Sequence, residues 1–219
     1  MTVTNTLNII IYSTMLWELC NQIICFSNKK NRQYNSRYCS NIHAIIIFLY
    51  SFIYCYIYDF DVIYNNLING ISVGYLIFDS YRAIKYKELE YIIHHLVVIS
   101  AIFPTILNEM NQYQLPEYYH YLIARAFLSE SSTIFLNNCW LLIKQNKKSS
   151  TEFIFNSIML LILFLVFRVI NFTLIFYRLI QLEYYSYLSL HVPLTILNYI
   201  WFYKLMLKTK EIFSYRKIN

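Results

Sequence analysis

Long apolar runs separated by short polar segments dominate the chain. A membrane-spanning helix needs about 20 mostly apolar residues to cross roughly 30 Å of hydrocarbon. Seven runs of about this length occur, at approximately residues 7–27, 41–58, 63–81, 90–107, 118–143, 152–176 and 186–207. The pattern therefore predicts an all-α fold, a polytopic transmembrane helix bundle of about seven spans.

The chain divides by its pattern into three predicted parts. A first transmembrane helix with its basic loop covers residues 1–35, the main transmembrane domain covers 36–210, and a short basic tail covers 211–219. No linker rich in Pro, Gly or Ser interrupts the sequence, so we expect no extramembrane catalytic domain. Any chemistry must then use groups inside the bundle or at its edge.

Basic residues alternate between the two sides of the predicted bundle. Fifteen of the eighteen Lys and Arg residues fall on one side, at 28–40, 82–87, 144–148 and 204–217. Because Lys and Arg are retained in cytosolic loops, this predicts an outside N-terminus and a cytosolic C-terminus. Arg216 and Lys217 resemble a dibasic retrieval signal of the endoplasmic reticulum, the membrane we expect. A polybasic tail attracted to anionic lipid head groups would look the same.

Composition narrows the classes of function. The chain is 58% hydrophobic and 14% charged, whereas soluble domains have about 25% charged residues. Its two glycines are too few for the glycine-rich loops that bind nucleotide phosphates, so Rossmann enzymes, kinases and P-loop NTPases are excluded. The net charge of +6 lies in short clusters between apolar runs, and we expect no nucleic-acid partner. Five cysteines without CxxC spacing indicate neither a disulfide framework nor a zinc site.

Ionisable side chains within predicted spans are candidates for function, because they are costly in lipid. His43, Asp79 and the adjacent His94 and His95 lie on three spans, all near basic cytosolic loops. Neighbouring positions on a helix are about 100° apart, so at least one of the two adjacent histidines should point inward. If Asp79 holds one imidazole nitrogen, the other nitrogen can act as nucleophile or general base. A zinc site built from this group is the competing interpretation, although zinc sites usually have more ligands.

Two further pairs of residues predict contacts between helices. Glu130 and Arg168 lie deeper in their spans and at similar depth, so we expect them to form a structural ion pair. Gly70 and Gly74 form a GxxxG motif in the third span, a pattern that lets another helix approach closely. We expect these glycines to mediate packing and association into homo- or hetero-oligomers.

Five motifs occur in the order found in one known family. They are Ser40–Ala44 (SNIHA), Gly74–Asp79 (GYLIFD), Leu89–Leu96 (LEYIIHHL), Glu130–Trp140 (ESSTIFLNNCW) and Phe164–Arg168 (FLVFR). Together they resemble the TLC-domain family, which includes translocating-chain-associated membrane proteins and the Lag proteins. Ile134 and Cys139 stand where the family often has proline and arginine.

The resemblance implies helices around a lipid-accommodating cavity with the double histidine inside. In the ceramide synthases of this family, the histidine pair is associated with transfer of a fatty acyl group from acyl-CoA to a sphingoid base. The chain lacks the acidic segment that follows the pair in those enzymes. It is more similar to the shorter TLC-domain proteins, which are linked to lipid homeostasis and trafficking.

The resemblance also implies roles for individual residues. We expect His94, His95 and Asp79 to be catalytic, with acyl-CoA as a co-substrate and no bound metal or cofactor. The residues expected to contact membrane lipid are His43, Tyr75, Glu130, Asn137, Trp140 and Arg168. The alternative is a non-catalytic lipid-binding or trafficking protein that uses the same cavity.

Overall fold

A computed structural model describes residues 3–27, 32–57, 62–109 and 117–216. The described residues form helices joined by short turns and contain no strand, so the all-α prediction is confirmed. The helices are α1 (Val3–Ser27), α2 (Arg32–Tyr56), α3 (Val62–Lys85), α4 (Leu89–Glu109), α5 (Glu117–Phe127), α6 (Glu130–Lys144), α7 (Thr151–Phe164), α8 (Asn171–Gln181) and α9 (Tyr185–Arg216). A π-helical segment, Leu165–Ile170, joins α7 to α8 without a break.

Four helical segments are long and apolar enough to cross a membrane. These segments are Asn5–Phe26, Tyr34–Tyr56, Leu89–Ile106 and Thr151–Gln181. They correspond to four of the seven predicted runs. For the runs at 63–81, 118–143 and 186–207, spanning stays a prediction. Lys29, Lys30 and Lys217, on which part of the predicted orientation depends, lie outside the described residues.

The predicted run 118–143 is not one continuous helix. The amide of Leu128 donates to the carbonyl of Arg125 at 3.2 Å, a tight turn that ends α5. The hydroxyl of Ser132 then donates to the carbonyl of Ser129 at 2.8 Å. Serine hydroxyls compete with the helical ladder for backbone groups, and the serines around position 130 explain why the helix restarts here as α6.

Many large apolar side chains lie exposed on the described helices, whereas several ionisable ones are buried. Along α1, Ile11, Met15, Leu19 and Phe26 are all more than half exposed. Asp79, Arg82, His95 and other polar side chains are buried instead. This distribution is typical of a protein whose surroundings are lipid, because exposed apolar surface of this extent is rare on soluble monomers.

The chain forms two compact units, Met1–Leu128 and Ser129–Asn219. In the first unit, α3 packs against both α1 and α4, and α2 packs against α5. Asn69 of α3 donates to the hydroxyl of Thr105 of α4 at 2.9 Å, and Tyr119 of α5 donates to the carbonyl of Ala101 at 2.8 Å. These buried hydrogen bonds fix α4 against its two neighbours.

The face of α3 that carries both glycines packs against α1. A Cβ atom at Gly74 would meet Ser13 Cβ at 2.6 Å and the carbonyl oxygen of Ile10 at 2.9 Å. The hydroxyl of Ser13 donates to the carbonyl of Ile71 at 3.0 Å. The close helix approach predicted from the GxxxG motif is therefore present within the chain. Association between chains through Gly70 and Gly74 stays a prediction.

The second unit has its own apolar core. Its buried centre contains Cys139 and Leu142 of α6 together with Phe153, Leu160 and Phe164 of α7. The α9 residues that pack against this centre are Trp201, Phe202 and Leu205. The π-helical segment places Arg168 on the inside of this unit, where it is buried.

Candidate functional site

Asp79 is the centre of a buried polar cluster in the first unit. Arg82, one turn further along α3, donates from Nε to Oδ1 of Asp79 at 2.6 Å. His95 of α4 places Nε2 3.3 Å from Oδ2 of the same carboxylate. Asp79 thus contacts a histidine of the next helix, as the sequence suggests, and it also pairs with a basic residue near the end of its own helix.

Both nitrogens of His95 face polar groups of the protein. Its Nδ1 lies 3.1 Å from the hydroxyl of Ser80, with which it shares a hydrogen bond, while Nε2 faces Asp79. Ser80 also lies 2.6 Å from the carbonyl of Leu76, to which it donates. His95 is thereby held between two consecutive residues of α3.

His94 and His95 differ in burial, as the 100° spacing along a helix predicts. His95 is buried, whereas His94 is half-buried. The two rings lie 5.7 Å apart between centroids, at an angle of 56°. His94 is thus the more accessible imidazole of the pair, and it lies next to the histidine that Asp79 holds.

The polar cluster extends from α3 to α2 through Glu88, which precedes α4. Arg82 Nη1 lies 3.2 Å from Oε2 of Glu88, and Arg37 Nη2 of α2 lies 3.8 Å from Oε1. Arg82 is buried between two carboxylates. Its charge is therefore balanced within the protein. Lys85 and Lys87 are exposed.

His43 lies in an aromatic cluster beside this ion-paired group. Its ring stacks on Tyr75 with centroids 3.8 Å apart and an interplanar angle of 12°. Trp17 of α1 meets the two rings edge-on, with centroid distances of 5.8 Å to His43 and 5.3 Å to Tyr75. Tyr75 lies on α3 one turn before Asp79. The structure therefore brings together His43, Tyr75, Asp79, His94 and His95.

The remaining predicted residues belong to the second unit. Arg168 donates from Nε to the hydroxyl of Ser132 and from Nη2 to that of Thr133, both at 2.8 Å. Its guanidinium lies over the ring of Phe164 at 5.3 Å. Arg168 thus links the π-helical segment to α6.

The predicted ion pair between Glu130 and Arg168 is wrong. None of the ion pairs formed by described residues joins these two side chains. Glu130 is in the first turn of α6, where the positive end of the helix dipole stabilises a carboxylate. Asn137 is buried on the same helix, and Trp140 contacts the ammonium of Lys144 at 5.4 Å from its ring centroid.

Comparison with known proteins supports the resemblance seen in the motifs. The profile of the TLC domain matches residues 33–207. The chain belongs to the TLC-domain family. No curated protein and no solved structure matches the chain.

The TLC domain includes every candidate residue predicted from the motifs. It begins at residue 33, so it excludes the whole of α1 and with it Trp17. Membership of the family and the apolar helices together indicate an integral membrane protein with a lipid-related function.

Sequence reasoning missed four residues of the site. Glu88 and Arg37 lie outside the five motifs. They meet only because the turn after α3 returns the chain beside α2. Ser80 could have been predicted from the sequence, since it directly follows Asp79 and could contact the same neighbouring helix, α4. Trp17 belongs to no motif, and it reaches Tyr75 because the face of α3 that carries the GxxxG glycines packs on α1.

Proposed function

We propose that this chain is a multi-pass membrane protein of about seven spans that acts in lipid metabolism. Its most specific activity would be histidine-dependent acyl transfer from acyl-CoA to a lipid acceptor. The predicted location is the endoplasmic reticulum, with the C-terminus in the cytosol. The observation that carries the proposal is the contact of His95 Nε2 with the buried Asp79 carboxylate at 3.3 Å, beside the accessible His94.

The proposed chemistry needs an imidazole held next to the thioester carbonyl. The hydroxyl or amine of the acceptor attacks this carbonyl while a histidine accepts its proton, as a general base does. The carbon–sulfur bond then breaks, and coenzyme A leaves as its thiol with the proton that the histidine returns. Asp79 orients His95 and stabilises the positive charge that develops on the histidine pair.

Acyl transfer is tested with purified protein in lipid nanodiscs that contain a membrane lipid extract. Acyl-CoA of several chain lengths is added, and free coenzyme A and acylated lipids are measured by mass spectrometry. We expect turnover that falls at least a hundredfold in the double variant His94→Ala, His95→Ala, a loss typical of removing a general base.

A second variant separates chemistry from folding. His95→Gln can keep one hydrogen bond to Asp79 but has no imidazole, so it should fold and yet be inactive. Lys210→Gln, far along the chain from the site, is the control that should keep its activity. Full turnover in the double alanine variant would refute histidine-dependent transfer.

One observation favours the alternative, a non-catalytic lipid-binding or trafficking protein. Both nitrogens of His95 already face partners, Asp79 and Ser80, so this histidine is also suited to a purely structural role. In that case wild-type protein would bind lipid without releasing coenzyme A, and lipid binding would survive the double alanine substitution.

A further inference from the structure

Three buried nitrogen atoms beside the ion-paired cluster lack a hydrogen-bond partner. They are Nδ1 and Nε2 of His43 and Nε1 of Trp17. Exposure of the two side chains is only 4% and 5%, so water from outside does not reach them in this structure. Buried polar groups in folded proteins are nearly always hydrogen-bonded. Unpartnered nitrogens from two helices, on rings in contact, therefore indicate a group that binds between them.

The number of donors and acceptors limits what this group can be. A neutral imidazole has one donor nitrogen and one acceptor nitrogen, and an indole has one donor. The two imidazole nitrogens point to different edges of the ring, so one bound group reaches only one of them. A group that accepts from the indole and donates to the acceptor nitrogen of the imidazole matches both rings. A hydroxyl does both, whereas an ester or ether oxygen only accepts and an ammonium only donates.

The surroundings favour a hydroxyl on an apolar molecule. Trp17, His43 and Tyr75 present ring surfaces to one another, and α1 beside them exposes mainly apolar side chains. Since α1 is long and apolar enough to lie in the membrane, a ligand that reaches these rings comes from lipid.

We propose that Trp17 and His43 form a binding subsite for the hydroxyl group of a membrane lipid. This subsite makes the proposed function more specific. It rests on that function in one respect, namely that the chain binds lipid at this site. Trp17 lies outside the matched TLC domain, so α1 supplies a residue that selects the ligand. One nitrogen of His43 accepts a hydrogen bond from the hydroxyl, and Nε1 of Trp17 donates one to its oxygen.

Two probes distinguish these hydrogen bonds, a long-chain 1-alkanol and its methyl ether. Their affinities are measured without acyl-CoA, by competition against a photoreactive alkanol on the full chain in phosphatidylcholine nanodiscs. The ether can accept from Trp17 but cannot donate to His43. We expect wild-type protein to bind the alkanol about fivefold more tightly than the ether, the effect of one hydrogen bond.

Two substitutions then distinguish the contribution of His43 to binding from that of Trp17. His43→Phe keeps a ring against Tyr75 and should make the alkanol and the ether bind equally. Trp17→Phe keeps a ring but loses the N–H, so it should weaken both probes about fivefold while the preference for the alkanol remains. Tyr12→Phe removes a hydroxyl from the exposed side of the same helix and is the control, with unchanged affinities.

Equal binding of alkanol and ether by wild-type protein would overturn the subsite, and so would a Trp17→Phe variant with wild-type affinities. The assay contains no acyl donor, so it is independent of turnover. Protein that prefers the alkanol but transfers no acyl group would support the subsite and refute only the enzymatic proposal.

Discussion

Asp79 shows how one buried carboxylate can organise several helices. It accepts hydrogen bonds from Arg82 on its own helix and faces His95 on the next one. Arg82 carries the network on to Glu88, and Glu88 reaches Arg37. Buried charges are costly unless each has a partner, and here opposite charges alternate along the chain of contacts. The loss of one member should therefore affect its neighbours.

Asp79→Asn keeps the size of the side chain but removes its charge. In this variant His95 faces an amide instead of a carboxylate. Glu88 is then the only one of the two carboxylates left to balance the charge of Arg82. We expect the free energy of unfolding to fall by about 3 kcal/mol, as when one partner of a buried ion pair is removed. Unfolding by SDS in mixed micelles measures this change.

The matched control for this substitution is Glu211→Gln, which removes an exposed carboxylate. Surface substitutions of this kind change stability by less than about 0.5 kcal/mol. If Asp79→Asn were equally mild, Asp79 would not hold the network together.

At the scale of the helices, the two glycines of α3 have unequal roles. A Cβ atom at Gly70 would meet the Cγ2 methyl of Ile9 at 2.8 Å, a side-chain atom that moves when χ1 of Ile9 changes and leaves the backbone of α1 in place. At Gly74 it would meet the backbone oxygen of Ile10 at 2.9 Å, which cannot move unless the whole of α1 shifts. The sequence motif treats the two positions alike, but the packing does not.

Gly74→Ala should therefore be more harmful than Gly70→Ala. Overpacking of this kind usually costs about 1–3 kcal/mol, and we expect that loss of unfolding free energy at Gly74 and a smaller loss at Gly70. Gly74→Leu should disturb the bundle further. Thermal unfolding in nanodiscs compares the variants, and equal stability of both alanine variants would contradict the close approach of α1 at Gly74.

In the described part of the chain, three helices are followed by a turn in which a residue other than glycine has positive φ. Lys87, Asn146 and Glu183 have φ angles of 58°, 59° and 58°. At each, the next amide reaches back five residues, as from Tyr184 to the carbonyl of Leu179 at 2.9 Å. This is the Schellman motif, which usually has glycine at that position. Asparagine adopts this conformation readily, so the backbone strain of a Cβ atom in the left-handed region falls mainly on Lys87 and Glu183.

Glu183→Gly should relieve this strain and stabilise the protein. The left-handed conformation costs a residue with a Cβ atom about 1 kcal/mol, so the free energy of unfolding should rise by about that amount. Glu183→Ala removes the same charge but keeps the Cβ atom, and it should give little gain. A similar gain for both variants would show that charge, not backbone conformation, limits stability at this turn.

At the scale of the whole molecule, the long apolar runs of the sequence predicted where the helices lie. Each of the seven runs coincides with helical structure, because about 20 consecutive apolar residues leave few alternatives in lipid. The break at Ser129 was not predictable from hydropathy, since it depends on serine hydroxyls that bond to the backbone. The motifs likewise predicted Asp79 with the double histidine, but Arg37, Glu88 and Trp17 join the site only through tertiary packing.

The alternation of basic residues makes a prediction about orientation that thiol labelling can test. Lys148 lies exposed in the turn between α6 and α7, and Gln181 lies exposed at the end of α8. One helical segment, Thr151–Gln181, separates them and is long enough to cross the membrane. The two positions should therefore be on opposite sides, with the lysine-rich turn in the cytosol.

In sealed microsomes, whose outer face is cytosolic, an impermeant maleimide should label Lys148→Cys directly. Gln181→Cys should react only after detergent opens the vesicles. The parent chain, with its five native cysteines, gives the background that is subtracted from both. Labelling of Gln181→Cys alone in sealed vesicles would contradict the proposed orientation of this segment, because the lysine-rich turn would then face the lumen.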